Sequence, residues 1–290
     1  MLNKEKRDLI ISLCDFTPEA EVALNHASKI AEKSHDEVRL LHIINNETKS
    51  KLKKKHEGED VIYQKLKEIA EKNYTETNIL TSYHAENGSI FSTIGDYVKE
   101  TEAGLVIFGT HGVRGMQHIV GANSLKVILS CPVPVIVVQK KKADYHGYKK
   151  IVLPIDFSKS GKNKITHAIS IAKYFKSEVV VFESIEKDPH LTNIIHNNLN
   201  YAINLLKGQN IQYTHHKEDP DKGNFSKQII KHSAEVDADL IVISSQHDTD
   251  TIGDFFFGNH EVDIINNDAQ IAVMCVNPVQ NLNVSVTGVN

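Results

Sequence analysis

Short apolar runs alternate along the chain with longer stretches in which apolar residues recur every three or four positions. Leu9 to Cys14 is the first run, and it stops at the polar Asp15, as a strand buried on both faces should. Thr17 can then cap, and Pro18 can open, a helix whose Ala20, Ala23, Leu24, Ala27, Ile30 and Ala31 make one apolar face. The same reasoning predicts strands over Val38 to Ile44, about Asn78 to His84, Leu105 to Phe108 and Val135 to Val138. Between them it places helices over about Asp60 to Lys72, from Ser89 to about Glu102, and from about Asn123. Strands separated by helices of this length imply right-handed crossovers and a parallel sheet covered on both faces.

The pattern then starts again. Ile10-Ile11-Ser12-Leu13-Cys14-Asp15-Phe16 matches Ile151-Val152-Leu153-Pro154-Ile155-Asp156-Phe157 at an offset of 141 residues. Without a gap, His26-Ala27 falls on His167-Ala168, Ile30-Ala31 on Ile171-Ala172, and Val38 on Val179. The second copy predicts strands at Ile151 to Ile155, Val179 to Phe182, Ile211 to His215, Leu240 to Ile243 and Ile271 to Val276. Its helices fall near Lys162 to Phe175, Leu191 to Lys207, Phe225 to Val236 and Glu261 to Asn266. Gln139 to Tyr148 is polar, has no apolar periodicity and reads as the linker between a first domain at 1–140 and a second at 149–279. Val135 to Val138 and Ile271 to Val276 close their units as edge strands. Edges are usually covered or paired, so the two are expected to pack together as an internal pseudo-dimer, with a homodimer of chains left open.

Composition narrows the classes. The chain has 290 residues, 40% hydrophobic and 24% charged, enough for two domains with a core each. No apolar run approaches the roughly 18 residues of a membrane span, and the N-terminal run is too short for a signal-peptide core, which places the protein in the cytoplasm and off the membrane. A net charge of −4 gives no electrostatic reason to bind nucleic acid. Cys14, Cys131 and Cys275 form no CxxC pair and read as buried, reduced thiols. Full protonation of the 16 histidines would carry the charge from −4 to +12, so net charge depends on pH near neutrality. His215 and His216 are adjacent on a strand and point to opposite faces, so with His190 and His196 they read as surface histidines and not as a metal site. The run Lys49, Lys51, Lys53, Lys54, Lys55 is followed at once by Glu57, Glu59 and Asp60 and reads as a solvated mobile loop.

The densest chemistry is Gly109-Thr110-His111-Gly112-Val113-Arg114-Gly115-Met116-Gln117-His118-Ile119-Val120-Gly121-Ala122-Asn123-Ser124. It follows a buried strand and ends at a helix start, where exposed N–H groups favour an anion; a turn that needs glycine for its dihedrals is the equal alternative. Walker A, G-x-G-x-x-G, HExxH and GxSxG motifs are all absent, so no catalytic residue is assigned.

The order of strand-Asp-Phe, Val-Ile-Phe-Gly-Thr-His-Gly, Gly-Ala-Asn-Ser-Leu-Lys-Val-Ile and Cys-Pro-Val-Pro-Val-Ile-Val-Val resembles the universal stress proteins. The resemblance covers 8–139 closely and 149–277 more loosely. It implies an α/β fold of two tandem doubly wound open parallel five-stranded sheets, order 3-2-1-4-5, Rossmann-like and adenine nucleotide alpha hydrolase-like. It also implies ATP or another adenine nucleotide at the carboxyl ends of strands 1 and 4, with Asp15 accepting from the adenine amino group and the backbone around His42 and Ile43 lining the base. Gly109, Gly112, Gly121, Ala122 and Asn123 would hold ribose and phosphates. Here eight residues separate Gly112 from Gly121, where ATP-binding relatives have nine, and Ala122 stands in place of Ser or Thr; Ser124 and Arg114 could compensate.

In the second copy Ser244-Ser245-Gln246-His247-Asp248 replaces the glycine stretch, and Asp248, Asp250 and Asp254 add charges that repel a triphosphate. Phe255-Phe256-Phe257 is expected to pack over the sheet edge. The implied function is a non-catalytic stress-response module acting on an unknown protein partner, with a nucleotide in the first domain only. A slow ATPase or nucleotide-transfer enzyme and a ligand-free interaction scaffold are the alternatives.

Overall fold

The apolar runs form the centre of the molecule. The structure is a computed structural model describing residues 8–110, 122–158, 161–247, 255–256 and 259–277. Its first half runs β1 (Leu9–Leu13), α1 (Pro18–Ser34), β2 (Glu37–Ile44), α2 (Asn46–Lys55), α3 (Asp60–Thr77), β3 (Thr81–Asn87), α4 (Ile90–Thr101), β4 (Leu105–Gly109), α5 (Ala122–Ser130) and β5 (Val135–Val138). The second runs β6 (Lys150–Ile155), α6 (Gly161–Phe175), β7 (Glu178–Glu183), α7 (Pro189–Gly208), β8 (Tyr213–Lys217), α8 (Phe225–Glu235), β9 (Leu240–Ser244), β10 (Gln246–His247), β11 (Phe255–Phe256), α9 (Asn259–Ile265) and β12 (Ala272–Val276).

Ten strands make one sheet in the order β3-β2-β1-β4-β5-β12-β9-β6-β7-β8. Each half contributes five parallel strands in the order 3-2-1-4-5, and the halves meet where β5 and β12 pair antiparallel, Ile136 opposite Met274. The two closing strands thus protect each other's edges through main-chain hydrogen bonds. Alternate residues of each strand feed two cores. One face packs under α1, α3, α6 and α7, with Ile10, Ile151 and Leu240; the other packs under α4, α5, α8 and α9, with Ile11, Val152 and Ile241. Both cores run across the junction, which is why the strands read as continuous apolar runs.

Helix starts follow the capping signals. Thr17 Oγ1 accepts from Ala20 N–H at 3.3 Å, and Asn45, Ser89, Asp188 and Asn224 cap α2, α4, α7 and α8 in the same way. The lysine run is corrected by this rule: it is not a mobile loop but the helix α2. Asn45 accepts from Thr48 N–H at 2.9 Å, Glu47 pairs with Lys51 at 2.7 Å, and Lys53, Lys54 and Lys55 lie in the last turn, where the helix dipole favours cations. Leu52 packs against the core. β3 starts at Thr81, later than expected, because α3 continues to Thr77 and is closed by Asn78 in the left-handed conformation.

The stretch read as a linker is partly built into the core. Tyr148 is 1% exposed and packs edge-on against Phe175. Its hydroxyl lies 2.7 Å from His26 Nδ1, and His26 Nε2 lies 3.1 Å from the Lys141 carbonyl. A carbonyl only accepts, so Nε2 carries the proton and Nδ1 accepts from the tyrosine. Burial pushes His26 down to about 4. At the ends of β5 and β12, Gln139 Nε2 donates to the Asn267 carbonyl at 3.0 Å, and Asn277 Nδ2 donates to the Ile128 and Cys131 carbonyls at 2.6 and 2.9 Å. Each half therefore satisfies carbonyls at a helix end of the other with a carboxamide.

β10 and β11 form a short antiparallel hairpin where the sequence suggested a loop; Phe257 and the aspartates 248, 250 and 254 lie outside the described residues. All three cysteines are buried thiols. No helix among the described residues is long and apolar enough to cross a membrane, and no group of three or more His, Cys, Asp or Glu among them could hold a metal ion. His215 faces Glu183 at 2.8 Å, while the His216 ring lies 4.4 Å from that of His232.

Candidate functional site

In each half the chain reverses its direction of winding between the first and fourth strands, β1 and β4 or β6 and β9. Open α/β sheets bind ligands at the carboxyl ends of such strands. In the first half a cavity of about 330 Å³ lies there, lined by Asp15, Thr17, His42, Ile43, Gly109 and Ser124, with Asn45, Thr48 and Lys51 contributed by the start of α2. Five of the ten residues singled out from sequence therefore share one cavity. Ala122 and Asn123 open α5, whereas Gly112, Arg114 and Gly121 lie outside the described residues.

Asp15 fixes its own loop: Oδ1 accepts from the Thr17 N–H at 3.1 Å and from the Thr17 hydroxyl. Asp15 is itself exposed. The next residue, Phe16, adopts φ 64°, a left-handed conformation unfavourable for a bulky residue. Its ring lies 4.7 Å from that of His42, with Lys65 Nζ 5.6 Å from its centre. His42 Nδ1 donates to the Cys14 carbonyl at 2.6 Å, and burial holds the ring below its ordinary pKa and hence neutral. Burial also pushes the Cys14 thiol up to about 11. Gly109 has a packing reason of its own: a Cβ there would stand 2.2 Å from the Glu19 carbonyl oxygen, so β4 passes under the first turn of α1 only as glycine.

The second half keeps the scaffold and changes the chemistry. Asp156 Oδ1 accepts from Ser158 N–H at 2.9 Å, and Oδ2 pairs with Lys164 Nζ at 3.0 Å. Burial raises its pKa, but the Lys164 ammonium and the Ser158 hydrogen bonds outweigh that and hold it below the ordinary carboxylate value. Asn198 Nδ2 donates to the Asp156 and Ser158 carbonyls at 2.9 and 3.3 Å. Glu183, at the position of His42, pairs with His215 and Lys217 at 2.8 and 3.3 Å. Ser244 stands where Gly109 does, its hydroxyl 3.3 Å from that of Ser158.

Lys164 and the α2 residues escaped the sequence reading. The repeat offset of 141 sets Lys164 against Ala23, so the signal for the lysine was present as a charge at a core position. Asn45 followed by Glu47 was the signal for α2.

Fold and cavity together define a tandem, doubly wound α/β protein with a cavity at the switch point of its first half and a Lys164–Asp156 pair at that of its second. The model of the universal stress protein family matches residues 8–139 and again 147–277, and the chain belongs to that family. Among solved structures it is similar to a universal stress protein from Archaeoglobus fulgidus DSM 4304, at 17% identity and TM-score 0.69 over 93% of this chain and 98% of the other. It is also similar to a protein of unknown function from Pseudomonas aeruginosa PAO1, at 17% identity and TM-score 0.66 over 94% and 93%. No curated protein matches it in sequence.

Proposed function

We propose that the chain is a cytoplasmic stress-response module that catalyses no reaction, binds ATP or another adenine nucleotide in its first half and acts on a protein partner. The observation that carries this reading is the cavity at the first switch point, where Asp15 stands beside His42 and Ile43 and opposite Gly109 and Ser124. A carboxylate is an acceptor only, so it suits the amino group of an adenine. The start of α5 at Ala122 and Asn123, with Gly112, Arg114 and Gly121 from the sequence before it, then serves the ribose and phosphates. Family membership supports both the adenine and the absence of turnover.

Calorimetric titration of ATP and of adenosine into the intact chain and into Asp15→Ala tests the reading. The expected result is one site per chain that Asp15→Ala weakens at least tenfold for both ligands. Two equivalent sites, or binding untouched by the substitution, would place the ligand elsewhere. No binding at all would leave a ligand-free scaffold. ATP turnover above that of a Gly112→Glu control would make the protein an enzyme.

A further inference from the structure

The second switch point carries a buried lysine, Lys164, where the first has Ala23. We propose that the second half carries its own occupant: the Lys164 ammonium, seated on Asp156, takes the place that a ligand's amino group takes on Asp15 in the first half. The likeness to a ligand rests on the reading of Asp15 just given; the occupation of Asp156 does not.

Lys164 leaves the first turns of α6, and its side chain is 2% exposed. At the equivalent position of α1 stands Ala23, fully buried and uncharged. A lysine is rarely buried without a carboxylate to receive it, and Nζ reaches Asp156 Oδ2 at 3.0 Å. The other oxygen of Asp156 is taken by the Ser158 N–H, and the carbonyls of the same turn are taken by Asn198. Both carboxylate oxygens of Asp156 and the carbonyls of Asp156 and Ser158 thus each have a donor from within the chain. Phe157, unlike Phe16, is not at positive φ, so the strained conformation of Phe16 has no counterpart there. An amino ligand would have to compete with the Lys164 ammonium for Asp156 Oδ2.

A buried ion loses most when its partner is removed and a pair loses little when both are neutralised; here Lys164 is the buried member, and Asp156 is 27% exposed. Lys164→Met keeps the apolar stem and strips the charge, so it should lower Tm by about 5–10 °C. Asp156→Asn combined with Lys164→Met should recover most of that loss. Lys164→Ala leaves a hole the shape of a propylammonium ion. Millimolar n-propylammonium should raise the Tm of Lys164→Ala, 1-propanol should not, and neither should move the wild-type protein. Lys164→Met as stable as wild type, or a folded Lys164→Ala indifferent to propylammonium, overturns the proposal. Should Lys164→Ala not fold, the single and double methionine variants decide. Adenosine titrated into the wild-type chain reports separately on the first half: its failure removes the likeness to a ligand, while the amine response still decides who occupies Asp156.

Discussion

After β1 the chain leaves a carboxylate at an open turn under a strained phenylalanine; after β6 it ties the corresponding carboxylate to an ammonium. Three positions account for the difference. Ala23 becomes Lys164, His42 becomes Glu183 with its own His215 and Lys217, and Gly109 becomes Ser244 beside Ser158. None of these changes alters the strand order, since each half keeps 3-2-1-4-5. The lesson is that the fold brings two loops to a switch point, but a few side chains at the strand ends decide whether the place stays available. Duplication in one chain allows one copy to close, because the junction of β5 and β12 holds the pair together without any ligand.

The largest expected effect concerns a pair of residues the two halves share. His26 and His167 occupy the same repeat position, and burial pushes both down to about 4. Between about pH 6.5 and 4 the unfolded chain binds a proton that the folded chain refuses, so stability is full above about 6.5 and falls as pH drops to 4. For His26, fully buried between Tyr148 and Lys141, the loss is about 3 kcal/mol; for the half-buried His167 it is smaller. Urea unfolding of wild type and His26→Gln at pH 7 and pH 4.5 measures it. Glutamine can donate to the carbonyl and accept from the tyrosine without titrating, so the variant should lose less on acidification. Equal losses would assign the acid sensitivity elsewhere.

Next in size is the position that separates glycine from serine. Gly109→Ser places a Cβ against the Glu19 carbonyl and should cost about 2–3 kcal/mol as α1 shifts. Ser244→Gly in the second half removes a tolerated side chain and should cost about 1 kcal/mol or less. Denaturant midpoints of the two variants compare them directly. A harmless Gly109→Ser would show that helix α1 can lift, and that Gly109 is kept for a ligand and not for packing.

The sheet was legible because strands buried on both faces must be apolar throughout, and the repeat told where each began. The start of α1 was legible in Thr17 as its cap and Pro18 as its first residue. What escaped was chemistry without periodicity: Tyr148 and Gln139 look like linker residues in sequence because their partners, His26 and Asn267, lie more than a hundred residues away. α2 was obscured by its own lysines, which suit the end of a helix as well as they suit solvent. At the site, Asp15, His42, Ile43, Gly109 and Ser124 could be named from the motif order. Lys164 was missed although the repeat sets it against Ala23 as a charge at a core position, and its partner is seen only in the structure, with Asp156 3.0 Å away.

The smallest effect is expected at Asp15 itself, and it separates the halves most cleanly. Its two visible hydrogen bonds, from the Thr17 N–H and hydroxyl, both end on Oδ1. An asparagine keeps that oxygen as an acceptor, and the turn is exposed, so Asp15→Asn should change stability by no more than about 0.5 kcal/mol. At Asp156 the same substitution strands a buried ammonium, and no such tolerance is expected. Loop fixing therefore does not require a charge at Asp15, whereas pairing requires one at Asp156. Thermal unfolding of the two asparagine variants at pH 7 reads the contrast, and a large loss in Asp15→Asn would show that the first carboxylate too is held by a charge within the chain.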